Sequence, residues 1–360
     1  MTKISKYGVM LFVATVGLQV SRVIFNALPL ADNYVSWFFS LFLNILWLGA
    51  IPYLIHYFWI ARPEGHARLS SPIVITTDDH LIIDLGLDPR LAYFHDIKAV
   101  KPLNPLALAI APLIGILLFY TTMLISALWQ SIIGSMGYVS GPQLGTIFDQ
   151  PIVLVMEILC TAILPGMFEE IADRGILTEA LGPDVPDGWK VALIAIFFGL
   201  AHQSPQQLGY AIYGGAILAY VAIKTKSILP TMIIHFTNNL LAVLVSHGAQ
   251  HDTFIGNLYD RLFASAEEAP LIFVATFLIG FVLLYMALKE VGRMMPPTPR
   301  LPVQQASSSN QPFASNQPSP FTPPFRQNPN RARWYEYIPL ASAVLVALLG
   351  TIFGFIWGTR

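Results

Sequence analysis

The sequence predicts an all-α fold: a polytopic bundle of about eight or nine membrane-spanning helices, with a small cytoplasmic insertion resembling a β-hairpin. Three observations predict this class. Of the 360 residues, 55% are hydrophobic and only 11% are charged, whereas an average soluble domain carries about 25% charged residues. The mean hydropathy is +0.60. Apolar runs of spanning length also recur along most of the chain.

The apolar runs define the expected helices in order. A spanning helix needs about 20 mostly apolar residues. Nine stretches reach or approach that length, and they lie at 7–27, 35–60, 105–128, 150–180, 189–203, 207–223, 228–246, 269–289 and 337–357. The fifth and sixth are short, and a polar turn with a proline joins them, which suits a tight reversal.

The connections between these runs predict orientation and location. Lys3 and Lys6 precede the first run, and basic residues favour the cytoplasmic side, so we expect a cytoplasmic N-terminus. No organellar targeting signal is evident, which favours a multi-pass protein of a bacterial plasma membrane. The net charge of −1 gives no general attraction to nucleic acid, so the lipid bilayer is the expected surroundings and no nucleic-acid partner is expected.

The same runs divide the chain into five parts. The insertion at 61–104 has two β-like apolar runs with a turn between them. The linker at 291–335 is rich in Pro, Ser, Gln and Asn. Such a linker cannot bury enough apolar surface to fold, so we expect a plain disordered linker, with docking of partners to it as the alternative. The parts are N-terminal transmembrane helices (1–60), the insertion (61–104), a membrane-embedded core (105–290, with its polar motifs in 165–240), the linker (291–335) and a C-terminal transmembrane helix (336–360).

Three polar motifs lie inside the apolar runs. They read Glu-Glu-Ile-Ala-Asp-Arg at 169–174, Phe-Gly-Leu-Ala-His at 198–202 and His-Phe-Thr-Asn-Asn at 235–239. Ionisable side chains are costly in a bilayer and usually mark a functional site. Counted from the expected cytoplasmic helix ends, the polar residues lie roughly 11 to 20 Å deep. This common depth predicts one shared, hydrated cavity near the middle of the membrane.

Helical spacing assigns the first motif two kinds of carboxylate. Glu170 and Arg174 are four residues apart, so they can pair on one face of the helix. Glu169 points about 100° away from that face and has Asp173 four residues further on. Because it is not committed to the arginine, Glu169 is the candidate general base.

The other two motifs supply imidazoles and an amide. His235 and Asn239 are also four residues apart, so their side chains leave one helix face and could donate to the same oxygen. Two such donors suit a developing oxyanion. His202 ends an apolar run and, by itself, would more often be a structural residue at the interface.

Taken together and in this order, Glu-Glu-x-x-x-Arg, Phe-x-x-x-His and His-x-x-x-Asn resemble the CPBP family of intramembrane endopeptidases. This family includes the type II CAAX prenyl proteases and the bacteriocin-processing or abortive-infection proteins. The resemblance covers about residues 150–246 and implies an intramembrane protease. We expect this protease to require no cofactor, with zinc as the alternative. By resemblance, Glu169 activates the attacking water with help from His202, and His235 and Asn239 hold the oxyanion.

The resemblance also assigns Glu170 and Arg174 to shaping the site. One position departs from the family pattern, since many members have an aromatic residue just before the arginine and this chain has Asp173. The implied partner is a peptide or protein substrate at the membrane. Whether that substrate is prenylated stays open at this point.

Three alternatives remain from the sequence. Glu169, His202 and His235 could instead form a zinc site with two imidazoles, one carboxylate and an open fourth position, although no His-Glu-x-x-His motif is present. Intramembrane Glu and His residues also mark transport pathways. A scaffold that only holds a partner would use the same fold without chemistry.

Overall fold

Apolar runs form helices throughout the computed structural model, which describes residues 1–26, 33–63, 73–77, 80–84, 88–99, 105–139, 146–293 and 332–358. The helices, in chain order, are α1 (Lys3–Asn26), α2 (Val35–Ala61), α3 (Pro89–Asp96), α4 (Pro105–Ser135), α5 (Pro151–Leu181), α6 (Asp187–Ala201), α7 (Pro205–Thr225), α8 (Leu229–His251), α9 (Phe254–Glu268), α10 (Pro270–Arg293) and α11 (Ile338–Gly358).

Eight of these helices are long and apolar enough to cross a membrane, within the part of the chain that the structure describes. They are α1, α2, α4, α5, α7, α8, α10 and α11. The all-α polytopic class predicted from hydropathy is therefore confirmed. The cytoplasmic placement of the N-terminus and the bacterial plasma membrane stay predictions, as does the division into five parts.

Two helices differ from what hydropathy alone indicated. The fifth apolar run forms α6, which has 15 residues and is shorter than the roughly 20 that a span needs. The stretch between the seventh and eighth apolar runs forms the amphipathic helix α9. The side chain of Thr253 caps α9 by accepting a hydrogen bond from the Gly256 N–H, a common start signal for a helix.

The stretch between α2 and α4 holds two short strands and a helix. Strands β1 (Ile73–Thr77) and β2 (His80–Asp84) pair antiparallel, with Ile75 opposite Ile82. Helix α3 follows, and the Asp88 side chain caps it by accepting from the Arg90 N–H. Most of the linker predicted for 291–335 lies outside the described residues, so its disorder and its docking role stay predictions.

The packing of the helices places α5 at the centre of the site. It contacts α1, α2 and α8, while α6 and α7 pack together as a helical hairpin and α4 packs on α7, α8 and α10. Helix α5 contains π-helical segments at Ile158–Ile163 and Ile171–Ile176. Such segments are rare and often occur at functional sites, and here they flank the two glutamates of the first motif.

Candidate active site

A close approach of α5 and α8 brings the first and third motifs together. Gly166 lies one turn before Glu170, and a Cβ added to it would lie 3.1 Å from the Phe236 backbone nitrogen. The absence of a side chain at this position therefore lets the two backbones meet beside His235.

Glu170 is the centre of a fully buried polar network. Its Oε1 accepts hydrogen bonds from Arg174 Nη1 at 2.8 Å and from His235 Nδ1 at 2.9 Å. The predicted pairing of Glu170 with Arg174 is thus present, and neither side chain has any exposed surface. An ion pair this deeply buried requires compensation by further contacts.

Arg174 supplies those contacts by reaching two other helices. Its Nη2 donates to the Gly215 carbonyl on α7 at 3.3 Å, and its guanidinium carbon lies 4.3 Å from the centre of the Phe198 ring on α6. A guanidinium over an aromatic face is stabilised by the ring's negative face. Arg174 therefore contacts the second motif directly and reaches the third through Glu170, which also binds His235.

Glu169 points away from this network, as its helical position predicted. The side chain is 21% exposed, and its Oε2 lies 3.9 Å from His235 Nε2. It lines a large cavity rather than the protein core. His235 therefore lies between the two glutamates, with Nδ1 on Glu170 and Nε2 facing Glu169.

The orientation of His202 follows from a backbone contact. Its Nδ1 lies 2.7 Å from the Phe198 carbonyl oxygen. Because a carbonyl can only accept a hydrogen bond, Nδ1 must carry the hydrogen, and the neutral ring then presents Nε2 as an acceptor. His202 and Glu169 line the same cavity.

Asn239 is held on the opposite side of the site. Its Nδ2 donates to the Thr161 carbonyl of α5 at 3.0 Å, and its Oδ1 accepts from Asn238 at 2.9 Å. His235 and Asn239 hydrogen-bond to different partners, Glu170 and the Thr161 carbonyl respectively. The sequence did not single out Asn238, which fixes the direction of the Asn239 amide.

One cavity of about 890 Å³ joins these four residues. Ligand pockets in proteins usually measure about 300 to 1,000 Å³. Side chains of α4, α7 and α9 complete its walls, including Phe119, Met123, Tyr210, Tyr259 and Phe263. Glu169, His202, His235 and Asn239 all line it, while its depth in the membrane stays a prediction.

A comparison with known families decides what kind of protein this is. Residues 151–241 match the model of the family described as type II CAAX prenyl endopeptidase, Rce1-like. The chain carries a CAAX-type intramembrane protease domain. The matched segment runs from the start of α5 into α8, so it contains all three motifs. Neither a curated protein nor a solved structure matches the chain significantly.

The protease is therefore a peptide hydrolase of the CAAX prenyl protease type. Its eight apolar helices make it a multi-pass membrane protein, and its substrate is a peptide or protein at the membrane. Transport and scaffolding, which the sequence alone leaves open, are not what this family model describes.

Glu169, His202 and His235, the residues considered for zinc, stay an alternative ligand set. Across the described ranges, no three His, Cys, Asp or Glu side chains are grouped so that they could hold a metal ion. Both histidines also use Nδ1 for other hydrogen bonds, leaving only Nε2 of each ring toward the cavity.

A second cavity lies on the other side of Glu169 and His202. It measures about 320 Å³, and α1 lines it with one face. Sequence reasoning missed two of its residues, Gln19 and Arg22, because α1 lies far from the motifs along the chain. The polar residues inside the apolar run 7–27 were the available signal, since such residues seldom face lipid.

Proposed function

We propose that this protease hydrolyses an internal peptide bond of a membrane-associated or lipidated protein, using a water molecule activated by Glu169. A single observation carries the proposal: Glu169, His202, His235 and Asn239 line one large cavity, while Glu170 and Arg174 lie buried behind it. The arrangement separates a solvated carboxylate, which can exchange protons, from a fixed ion pair, which cannot.

In the proposed first step, Glu169 takes a proton from water as the water oxygen attacks the carbonyl carbon. The neutral His202 ring accepts a hydrogen bond from the same water through Nε2 and orients it. The C–N bond then breaks, and the proton held by Glu169 passes to the leaving nitrogen. One carboxylate thus acts first as general base and then as general acid.

The carbonyl oxygen becomes negatively charged in this step and needs donors. Asn239 Nδ2 donates one of its two hydrogens to the Thr161 carbonyl, so the second can be donated to the substrate oxygen. His235 donates through Nε2 only when both ring nitrogens carry hydrogen, and Glu169 and Glu170 lie on either side to balance that charge. Removing one oxyanion donor typically lowers kcat by about 100- to 1,000-fold.

Glu170 and Arg174 have a positioning role in this proposal. The Glu170 carboxylate holds Nδ1 of His235, which orients the ring toward the cavity. Arg174 holds Glu170 and ties α5 to α6 and α7. Neither group needs to touch the substrate.

The cavity lining supports a lipidated substrate. Apolar and aromatic residues from α4, α8 and α9 occupy much of the wall, among them Leu118, Phe119, Met123, Val245 and Phe263. A prenyl chain on a cysteine would bury apolar area there at about 25 cal/mol per Å². We therefore propose a prenylated C-terminal peptide as the substrate class.

We propose a metal-independent mechanism, so every step uses groups of the protein. The alternative zinc-dependent form would use Glu169, His202 and His235. Metal analysis of active, chelator-treated protein separates the two forms: activity with less than one equivalent of metal supports our proposal, and activity that needs added zinc contradicts it.

The decisive experiment compares protein termini in membranes of cells expressing wild type or Glu169→Gln at equal level. New termini should appear only with the wild type, because glutamine cannot accept the proton. Glu290→Gln is the matched control, since Glu290 is exposed and pairs with Arg293 on the same helix. Termini that persist with folded Glu169→Gln would contradict the assigned role.

A further inference from the structure

A main-chain carbonyl of α5 holds the Asn239 side chain. Asn239 Nδ2 donates to the Thr161 carbonyl oxygen at 3.0 Å. In a regular α-helix, the carbonyl of residue 161 would accept a hydrogen bond from the N–H of residue 165. Residue 165 is proline, which has no N–H. The Thr161 carbonyl therefore lacks its usual donor within the helix, and Asn239 supplies one from α8.

The local geometry of α5 places this carbonyl beside the cavity. Thr161 lies in the π-helical segment Ile158–Ile163, and α-helical geometry resumes at Leu164, directly before Pro165. Proline and π-helical turns are both common causes of a bend in a helix. Thr161, Pro165 and Asn239 all line the large cavity, so the acceptor and its donor meet at the cavity wall.

The glycine next to the proline brings the amide within reach. A Cβ added to Gly166 would lie 3.1 Å from the Phe236 backbone nitrogen and 3.3 Å from the Phe236 Cα. Asn239 follows three residues after Phe236, so it lies on the same side of α8 about one turn further on. Gly166 therefore permits the close approach of the two helices, and Pro165 leaves the carbonyl to which the approaching amide donates.

A carboxylate fixes the residue that carries this carbonyl. Thr161 Oγ1 donates to Glu157 Oε2 at 2.9 Å. The other oxygen of the same carboxylate accepts from Trp37 Nε1 on α2 at 3.0 Å and from Thr146 Oγ1 at 2.8 Å. These contacts tie α5 to α2 and to the segment before α5. The Thr161 carbonyl is thus a fixed acceptor, and the direction of the Asn239 amide depends on whether that acceptor is open.

We propose that Pro165 is a positioning residue of the protease. Because it has no N–H to donate, it keeps the Thr161 carbonyl open for Asn239, which directs the second hydrogen of Nδ2 toward the substrate oxygen. Pro165 acts through Asn239 and needs no contact of its own with the substrate. The proposal rests on the proposed function, since it assumes that Asn239 stabilises the oxyanion.

The test follows cleavage of a farnesylated, internally quenched peptide by the purified full-length protein. Pro165→Ala restores an N–H at residue 165, which can pair with the Thr161 carbonyl and release Asn239. We expect kcat to fall about 10- to 100-fold with KM unchanged, as for a displaced catalytic group. The midpoint of thermal unfolding should stay at the wild-type value or rise, because alanine suits a helix interior better than proline. A lower midpoint would indicate damage to the fold and contradict the positioning role.

A double variant separates positioning from any other role of Pro165. Asn239→Ala should lower kcat by about 100- to 1,000-fold, as removal of an oxyanion donor does. Adding Pro165→Ala to Asn239→Ala should cause no further loss, since no amide is left to position. Losses that multiply in the double variant, or an unchanged kcat in Pro165→Ala, would overturn the proposal.

Pro112→Ala is the matched control. Pro112 also lies inside a helix, α4, where it too provides no N–H for the carbonyl four residues earlier. The residues that line the large cavity do not include it, so its kcat should equal that of the wild type. Full activity of Asn239→Ala or Glu169→Gln would instead overturn the proposed function. If the wild type leaves the farnesylated peptide intact, the proposed substrate class is wrong, and the rate at which new termini form in membranes becomes the readout for Pro165→Ala.

Discussion

The Glu170–Arg174 pair shows which residue contacts a sequence can predict. Their spacing of four residues places both on one helix face, and the structure has them 2.8 Å apart. The hydrogen bond from His235 to Glu170 joins residues 65 positions apart, and helical spacing carries no information on such a contact. The expected convergence of His235 and Asn239 on one substrate oxygen also rests on helical spacing alone, and it stays a prediction.

Removal of either member of this pair should destabilise the protein. Glu170→Ala leaves the Arg174 guanidinium buried without its carboxylate, and Arg174→Ala does the reverse. The loss of one partner from a buried ion pair costs about 3 to 5 kcal/mol. Thermal unfolding in detergent and the yield of monodisperse protein measure the effect, and an exposed-pair variant, Glu290→Ala, should match the wild type. Unchanged stability of Arg174→Ala would contradict the structural role.

At the scale of helices, hydropathy predicted the eight spans because each is a long apolar run. It overestimated α6, whose 15 residues form only part of a span, and it did not detect α9, whose apolar residues lie on one face. Local composition does not show which helices touch. The approach of α4 to α8 depends on Gly115, since an added Cβ there would lie 2.8 Å from the Ile234 carbonyl oxygen.

Gly115→Ala should therefore push α4 away from α8 at Ile234 and Thr237, which lie before and after His235 in the chain. The same Cβ would lie 2.6 Å from Thr237 Cβ, so the helix has no room to accept it. Overpacking of this kind costs about 1 to 3 kcal/mol, and we expect lower thermal stability with a reduced kcat.

Gly134→Ala is the control within the same helix. A Cβ at Gly134 meets no atom within 4 Å, and alanine favours the helix over glycine. Its stability should equal or exceed that of the wild type. If both alanine variants behave alike, the close contact of α4 with α8 does not limit the site.

At the scale of the whole molecule, a cluster of polar side chains joins three helices away from the protease domain. Asp96 at the end of α3 accepts hydrogen bonds from Lys3 at 2.8 Å and from His56 and Tyr7 at 3.0 Å each. These residues come from α1, α2 and α3. From the sequence, Lys3, Tyr7 and His56 were assigned to one part of the chain and Asp96 to another. Contacts between distant segments leave no local sequence pattern.

This cluster predicts a loss of stability at low pH. Burial alone would raise the pKa of Asp96, but hydrogen bonds from His56 and Lys3, the Lys3 charge and the Tyr7 hydroxyl hold it well below its usual range. The unfolded carboxyl group has a pKa of about 3.9. As pH falls, the unfolded chain therefore binds the proton first. The stabilisation from these contacts is complete above about pH 4. It is lost as pH falls through the pKa that Asp96 has in the folded protein.

The midpoint of thermal unfolding, followed by tryptophan fluorescence in a non-ionic detergent, should decline in wild type below about pH 4. Asp96→Asn should lower the midpoint at pH 7 and flatten this decline. Asp260→Asn, on the exposed face of α9, should behave like the wild type. Parallel curves for wild type and Asp96→Asn would show that Asp96 does not set the acid sensitivity.

Helix α11 has a consequence for biosynthesis. It packs along α1 and α6, and Thr351 Oγ1 donates to the Leu200 carbonyl at 3.2 Å, two residues before His202. A ribosome completes the three motifs well before it makes residues 338–358. The packing beside His202 is therefore completed only after residues 338–358 are made, so a nascent chain that stops before them lacks the hydrogen bond to the Leu200 carbonyl.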